Sequence, residues 1–281
     1  ELLELVNPPL NANVLDIGCN DGTLLNHYLG KAKRFDLNAY GVDPSSEKFK
    51  SFINPKVNIF YEFFGSDFIN KFKDKKFHII TSIAMFYDLD DPKDFVKTIS
   101  SCLSKDGVWS LELSYLPLFL KQLSYDQLCH EHVGYYNLVD LKNIFLKFDL
   151  CIFEVSLNDM NGGSIYLKVC HKEALSKYNN PKNQDLIKKL LLSEKIMEEE
   201  NSIGKLQNRL LNHKYEIRNC LDMIKSSGKK VLGYGASTKG NILLHYCEIS
   251  NEDIEFIGDL NTEKHTRFTP GTRIPIKSHD D

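Results

Sequence analysis

VLDIGCNDGTLL, residues 14–25, decides the reading of the first half of the chain. Val14 to Ile17 is a short apolar run suited to a buried strand, and Gly18 and Gly22 bracket a tight turn into an amphipathic helix. Glycine removes the Cβ where backbone must approach a ligand and permits positive φ, while Asn20 and Asp21 can fix the loop or meet that ligand. The turn is not GxGxxG, which lowers a dinucleotide reading. No Gly-Lys-Ser/Thr follows it, which rejects a phosphate-binding P-loop.

Asp43 ends the next strand candidate, LNAYGVDPS (37–45). A carboxylate there can accept both hydroxyl hydrogens of a ribose. KVNIFYEFF, KFHIITSIAM, GVWSLELSY, LCIFEVSL and SIYLKVC supply further strands, and DPKDFVKTISSCLSK suits a helix between them. Strands alternating with helices predict an α/β class fold, an open parallel sheet with antiparallel additions late in the domain. The first domain is expected over 1–175 and a helical connector over 176–228, either one helix kinked near Ser202 and Gly204 or two helices. A second, smaller α/β unit over 229–281, possibly incomplete, opens at KVLGYGASTKG (230–240) and continues through NILLHYCEI to the strand IEFIGDLN.

The 281 residues are 42% hydrophobic, enough for a sizeable core and two domains. A net charge of −3 gives no support for a nucleic-acid partner. No run of eighteen apolar residues is present, so the sequence predicts a soluble, cytoplasmic chain without a membrane span. The 7 cysteines are scattered and form no CxxC, which argues against a disulfide framework and for a reducing compartment. The abrupt start and stop suggest that parts of a longer protein lie outside this sequence. Oligomeric state is not legible.

CHEHVGYYN (129–137) carries His130, Glu131 and His132 beside Cys129. Three readings stay open: a satisfied polar cluster, a metal site and an acid/base site. The metal reading is weakest, because HEH is not HExxH and adjacent ligands rarely converge unaided. Acid/base chemistry asks for less: a histidine near its ordinary pKa is a free base near neutrality, and a glutamate can orient it or stabilise its protonated form. In extended backbone His130 and His132 share a face; a turn would instead bring Glu131 beside His132.

VLDIGCNDGTLL resembles the S-adenosylmethionine loop of class I methyltransferases. The resemblance implies S-adenosylmethionine as cofactor, Asp16 and Gly18 at its methionine end, Asn20, Asp21 and Gly22 in the loop, and Asp43 at the ribose. It also places Ser66, Asp67 and Phe68 at the adenine and implies a Rossmann-like domain followed by a second, smaller one. FYDLDDPKDF, WSLELSY, YDQLCHEHVGYYNL, NDMNGGSIYLKVCHK and GYGASTKGNILLHYC together resemble the sugar-nucleotide C-methyltransferases that act on deoxysugars. By that resemblance His132 is the catalytic base and Glu131 its companion. His132 would remove the C3 hydrogen beside a 4-keto group, giving an enolate that takes the methyl, and no metal is required. The partner is a nucleotide-linked sugar, with Tyr115, His130, Tyr135, Asn158 and Asn161 on its side of the site.

Two departures stand out. Many relatives have tyrosine where this chain has Cys129, a role that Tyr125, Tyr135 or Tyr136 could partly cover. Relatives also commonly begin with a small cysteine-rich zinc domain, for which the chain holds no equivalent cluster.

Read without the family, the turn Asn158–Ser164 is a hairpin or bulge, and Tyr115 suits an aromatic core as well as a pocket. GYGASTKG brings Gly233, Gly235, Ser237, Thr238 and Lys239 to a helix start, where backbone donors and a lysine suit a diphosphate; Asp259, ending the next strand, could touch a nucleoside. Structural packing and an NAD site are the alternatives for that loop. For the whole chain they are a sugar O-methyltransferase and a noncatalytic sugar-nucleotide binding module.

Overall fold

The computed structural model describes residues 1–31, 35–72 and 75–280, which divide into two compact units. The first comprises residues 1–118 and 133–196, and the second residues 119–132 and 197–281. This differs from the division expected at 175 and 228. Long-range packing draws the boundary: the segment 119–132, in the middle of the sequence, is held by side chains from the C-terminal third.

The first unit is built on a seven-stranded sheet: β1 (Asn13–Ile17), β2 (Asn38–Val42), β3 (Val57–Phe60), β4 (Phe77–Ile83), β5 (Leu103–Ser114), β6 (Leu150–Asn158) and β7 (Ser164–His171). Their order is β3-β2-β1-β4-β5-β7-β6. β1 to β5 run parallel, and β7 pairs antiparallel with both β5 and β6. The late antiparallel addition is as expected from the sequence. The chain leaves β1 for β2 on one side and later enters β4 on the other, so a crevice opens beyond the carboxyl ends of β1 and β4.

Both sheet faces are covered, which is why the strands read as nearly continuous apolar runs. Leu15, Ile17, Ile80 and Trp109 enter one core layer, and Val14, Ile79 and Val108 enter the other. Asp16 and Thr81 share the second face, following the two-residue period of their strands. The helix Pro92–Cys102 is started by Asp91, whose Oδ1 accepts from the backbone N–H groups of Lys93 and Asp94, both at 3.0 Å.

The connector is two helices, Pro181–Glu199 and Leu206–Ser226. Asn201 takes φ 51° between them, and its side-chain oxygen accepts from Gly204 N–H at 3.2 Å. In the second unit β8 (Gly233–Tyr234), β9 (Ile257–Asp259) and β10 (Ile276–Ser278) form a parallel sheet in the order β10-β9-β8. Leu244, Cys247, Ile249 and Ile274 fill its core. No helix among the described residues is long and apolar enough to cross a membrane.

Candidate active site

The glycine turn after β1 adopts the conformation that its residues allow. Gly18, Asn20 and Gly22 take φ of 73°, 47° and 76°. A Cβ on Gly18 would lie 3.2 Å from Met85 Cγ, so both the backbone angle and the space favour glycine. Asp43 ties this turn to the next: one carboxylate oxygen accepts from Asn20 N–H at 2.9 Å and the other from Ser45 N–H at 2.7 Å. Each oxygen keeps a second lone pair for a ligand hydroxyl. The Ser46 hydroxyl donates to the Asn20 carbonyl. Asp21 accepts from Thr23 N–H at 3.0 Å and thereby opens the helix Thr23–Lys31.

A cavity of about 340 Å³ lies at this strand-end crevice. Gly18, Asp43, Phe63, Phe64, Met85 and Leu89 line it together with three further carboxylates, Glu62, Asp88 and Asp90. No lysine, arginine or histidine contributes to its described wall, although Glu62 is paired at 2.6 Å with Lys71. Such a cavity disfavours phosphates and suits a cationic ligand with an apolar body.

Asp16 sits one residue before the strand end and is only 4% exposed. Burial pushes its carboxyl up from 3.8 to about 7, against the opposing effect of the Thr81 hydroxyl, which donates to it at 2.5 Å; the nearby Asp43 charge adds to the rise. Asp16 does not line the cavity.

The residues expected at the adenine, Ser66, Asp67 and Phe68, do not line this cavity. Phe68 is 2% exposed and packs edge-on against Phe60 and at a tilt against Phe64 and Phe72, so it is core. Ser66 and Asp67 are exposed on the short helix Ser66–Ile69 and do not line the cavity. The wall at this end is Glu62–Phe64, directly after β3, with Phe63 83% exposed.

CHEH belongs to the second unit. Its backbone turns: His132 N–H donates to Cys129 C=O at 3.2 Å, so the extended alternative, with both histidines on one face, does not apply. His130 and Glu131 are exposed and His132 is half-buried. Burial holds the His132 imidazole below its ordinary value, and the Lys239 charge lowers it further. A hydrogen bond to the Gln127 backbone and the Glu131 charge oppose this. The fold thus brings Lys239, from the C-terminal glycine loop, into the electrostatic field of His132.

That loop is shaped as the sequence suggests. Gly235 takes φ 83° with open space where a Cβ would sit, and Ser237 caps the helix Thr238–Tyr246 by accepting from Gly240 N–H at 3.0 Å. Asp259 anchors this loop. It is 7% exposed, and its oxygens accept from Ala236 N–H at 2.8 Å, Asn261 N–H at 2.8 Å and Lys264 Nζ at 3.1 Å.

Tyr115 is likewise core, at 2% exposure, with its hydroxyl donating to Glu194 at 2.5 Å. Glu194 also accepts from Leu138 N–H at 2.6 Å and Val139 N–H at 3.0 Å, at the start of the helix Leu138–Leu146. Asn158 donates to Glu112 at 3.2 Å and accepts from Met160 N–H at 3.0 Å, and Asn161 takes φ 52°; the turn is the hairpin between β6 and β7. Tyr135 and Tyr136 are half-buried, and Tyr136 packs edge-on against Phe86 in the first unit. Among the described residues no group of three or more His, Cys, Asp or Glu is placed to hold a metal ion.

Sequence reasoning missed Glu62, Phe63, Phe64, Met85, Asp88 and Leu89. The signal was available: the residues just past β3 and β4 occupy the same strand-end position as Gly18 and Asp43.

Among known proteins, NovU of Streptomyces niveus, described as a C-methyltransferase, is 30% identical over 200 residues, covering 69% of this chain and 45% of NovU. A tRNA U34 carboxymethyltransferase of Campylobacter curvus is 33% identical over 122 residues, 41% of this chain and 39% of that protein. The chain therefore spans less than half the length of either relative. A solved S-adenosylmethionine-dependent methyltransferase from Clostridium acetobutylicum is 17% identical with a TM-score of 0.44, covering 60% of this chain and 87% of that one. Residues 1–155 match the family described as methyltransferase domain, and residues 159–281 match the C-methyltransferase C-terminal domain. The boundary between the two matches falls within the β6–β7 hairpin of a single sheet. With the two domains in succession over nearly its whole length, the chain belongs to the C-methyltransferase family.

Proposed function

We propose that this protein transfers a methyl group from S-adenosylmethionine to a carbon, C3, of a 4-keto deoxysugar nucleotide. The observation that carries the donor assignment is the carboxylate-rimmed, partly apolar cavity at the carboxyl ends of β1 to β4. A pyrophosphate-bearing dinucleotide would meet like charge there, whereas a sulfonium with a free amino group meets complementary charge. Asp43 would take the ribose hydroxyls, Phe63, Phe64, Met85 and Leu89 the apolar body, and the Gly18 backbone the methionine end. When bound, S-adenosylmethionine supplies the electrophilic methyl that the substrate carbon accepts.

His132 acts as the base. Its depressed pKa keeps the ring unprotonated at neutral pH, ready to take the C3 proton made acidic by the adjacent ketone. The electron pair left on C3 delocalises onto the ketone oxygen and would then form the new carbon–carbon bond as the methyl–sulfur bond of the donor breaks and its electron pair stays on sulfur, leaving S-adenosylhomocysteine, while the proton stays on the imidazole. Glu131, which favours the charged ring, stabilises that imidazolium. Gly235, Ser237 and Lys239 receive the substrate diphosphate at the start of the helix Thr238–Tyr246. NovU's description as a C-methyltransferase supports carbon over oxygen as the acceptor.

The test is a panel of 4-keto nucleotide sugars incubated with S-adenosylmethionine, with the mass and carbon connectivity of the product determined. A carbon-linked methyl is expected. A methyl ether would replace this reading with sugar O-methylation, and binding of both ligands without transfer would make the chain a binding module. His132→Ala is expected to lower turnover by about 10²–10⁴-fold with cofactor affinity preserved; near-normal turnover would remove it as the base.

A further inference from the structure

The segment that carries His132 is fastened by one buried phenol. Tyr125 is 4% exposed, although it lies in a single 3-10 turn, Tyr125–Gln127. Its hydroxyl lies 3.2 Å from His213 Nδ1 and 3.4 Å from Cys247 Sγ. Its ring meets the Tyr246 ring at 5.1 Å and the His213 ring at 5.5 Å, both edge-on. One oxygen is thereby shared between the helix Leu206–Ser226 and the end of the helix Thr238–Tyr246, whose first turn holds Lys239. A phenol has one proton, so it donates to one of these partners and accepts from the other. The arrangement S–H to Oη and O–H to Nδ1 satisfies all three groups.

From Tyr125 to His132 the backbone is a succession of short turns. Gln127 N–H donates to Ser124 C=O at 3.1 Å, Leu128 to Tyr125 at 3.0 Å, Cys129 to Gln127 at 2.9 Å and His132 to Cys129 at 3.2 Å. Gln127 also meets the His132 ring through its backbone. That contact favours the charged imidazole, as a carbonyl accepting a ring N–H does and a backbone N–H donor would not, so it selects which ring nitrogen carries the proton.

We propose that Tyr125 is a positioning residue: its phenol locks the Tyr125–His132 turns onto the helix whose first turn holds Lys239, fixing the ring orientation and tautomer of His132 relative to the diphosphate-binding loop. This rests on the assignment of His132 as base and extends it to a residue that need not touch substrate.

The experiment uses the full chain with ¹⁵N-labelled histidine, the His132 ring signals being assigned by their loss in His132→Gln. In the parent the neutral ring is expected to show a single dominant tautomer. In Tyr125→Phe, which keeps the aromatic packing and removes the hydroxyl, the two ring nitrogens should shift toward averaged values. Turnover should fall about tenfold, while KM for the sugar nucleotide and affinity for S-adenosylmethionine stay within twofold. Unchanged ring nitrogens with unchanged turnover would overturn the proposal. Should Tyr125→Phe fail to fold, Cys247→Ala removes one partner of the hydroxyl and is expected to shift the ring signals in the same direction by less; no shift there overturns the proposal. Averaged ring nitrogens with unaltered turnover would leave the positioning in place and refute instead the reading of His132 as base.

Discussion

Replacing Asp16 by asparagine should abolish a pH dependence of stability that a single buried carboxyl imposes. The folded carboxyl sits at about 7 against 3.8 ordinarily, because burial penalises its charge more than the Thr81 hydroxyl relieves it. The folded state therefore holds its proton more tightly than the unfolded chain. Its stability is complete below about pH 4, where both states are protonated, and is lost as pH rises through about 7. At about 1.4 kcal/mol per pKa unit, the total loss is about 4 kcal/mol, of which about 3 kcal/mol falls between pH 5 and 8. Asparagine keeps the shape and an oxygen for the Thr81 hydroxyl and does not titrate. Leaving its N–H donors unpaired would cost about 1–3 kcal/mol, a term that does not vary with pH. Urea unfolding of both proteins at pH 5, 6, 7 and 8 isolates the effect, since every other titrating group is common to both. The stability of Asp16→Asn relative to the parent should rise by about 3 kcal/mol across that range. A difference constant to within about 0.5 kcal/mol would show that Asp16 is ionised at little cost in the fold, and would refute burial as the force that sets its protonation at the β1 strand end.

Lys239→Ala should raise KM for the nucleotide sugar about tenfold or more, the scale of a lost charge-assisted hydrogen bond, with S-adenosylmethionine affinity unchanged in calorimetric titration. Because the Lys239 charge lowers the His132 pKa, the same substitution should move the acid limb of the kcat profile to higher pH; a limb that stays put would separate the two residues electrostatically. Glu194→Gln leaves at most one carbonyl oxygen for the Tyr115 hydroxyl and the Leu138 and Val139 N–H groups, and should cost about 1.5–3 kcal/mol in urea unfolding with cofactor affinity intact.

What could be read from the sequence was local. The strands of the main sheet were visible because burial on both faces makes each a compact apolar run. The glycine turn was visible because φ of 73° and 76° at Gly18 and Gly22 restricts the residues that fit. Asp43 was visible as an acid at a strand end. Phe68 and Tyr115 are buried, which the sequence did not show, for a common reason: an aromatic residue near a site has the same sequence signature whether it faces the ligand or the core, and only packing separates the two. For Asp259, sequence located the strand end but could not show that its oxygens accept from Ala236, Asn261 and Lys264.

The placement of CHEH carries the most weight for the proposed function, and it lay beyond any local signal. Residues 119–132 are flanked on both sides by the first unit, to which the chain returns when the Val133 and Gly134 N–H groups both donate to Tyr87 C=O at 2.9 Å. The ties that put the segment in the second unit cross 88 positions from Tyr125 to His213 and 122 from Tyr125 to Cys247. Arg209 adds bonds to the carbonyls of Leu120 and Lys121, crossing 89 and 88 positions. Contacts of that separation leave no periodicity, since each partner looks like an ordinary polar or aromatic residue in its own neighbourhood. Their consequence is chemical. The proposed base shares a unit with the loop proposed to bind the sugar nucleotide, so substitutions at the Tyr125 anchor should register in kcat and in the ring nitrogens of His132 while the cavity proposed for the cofactor, lined by first-unit residues, keeps its affinity.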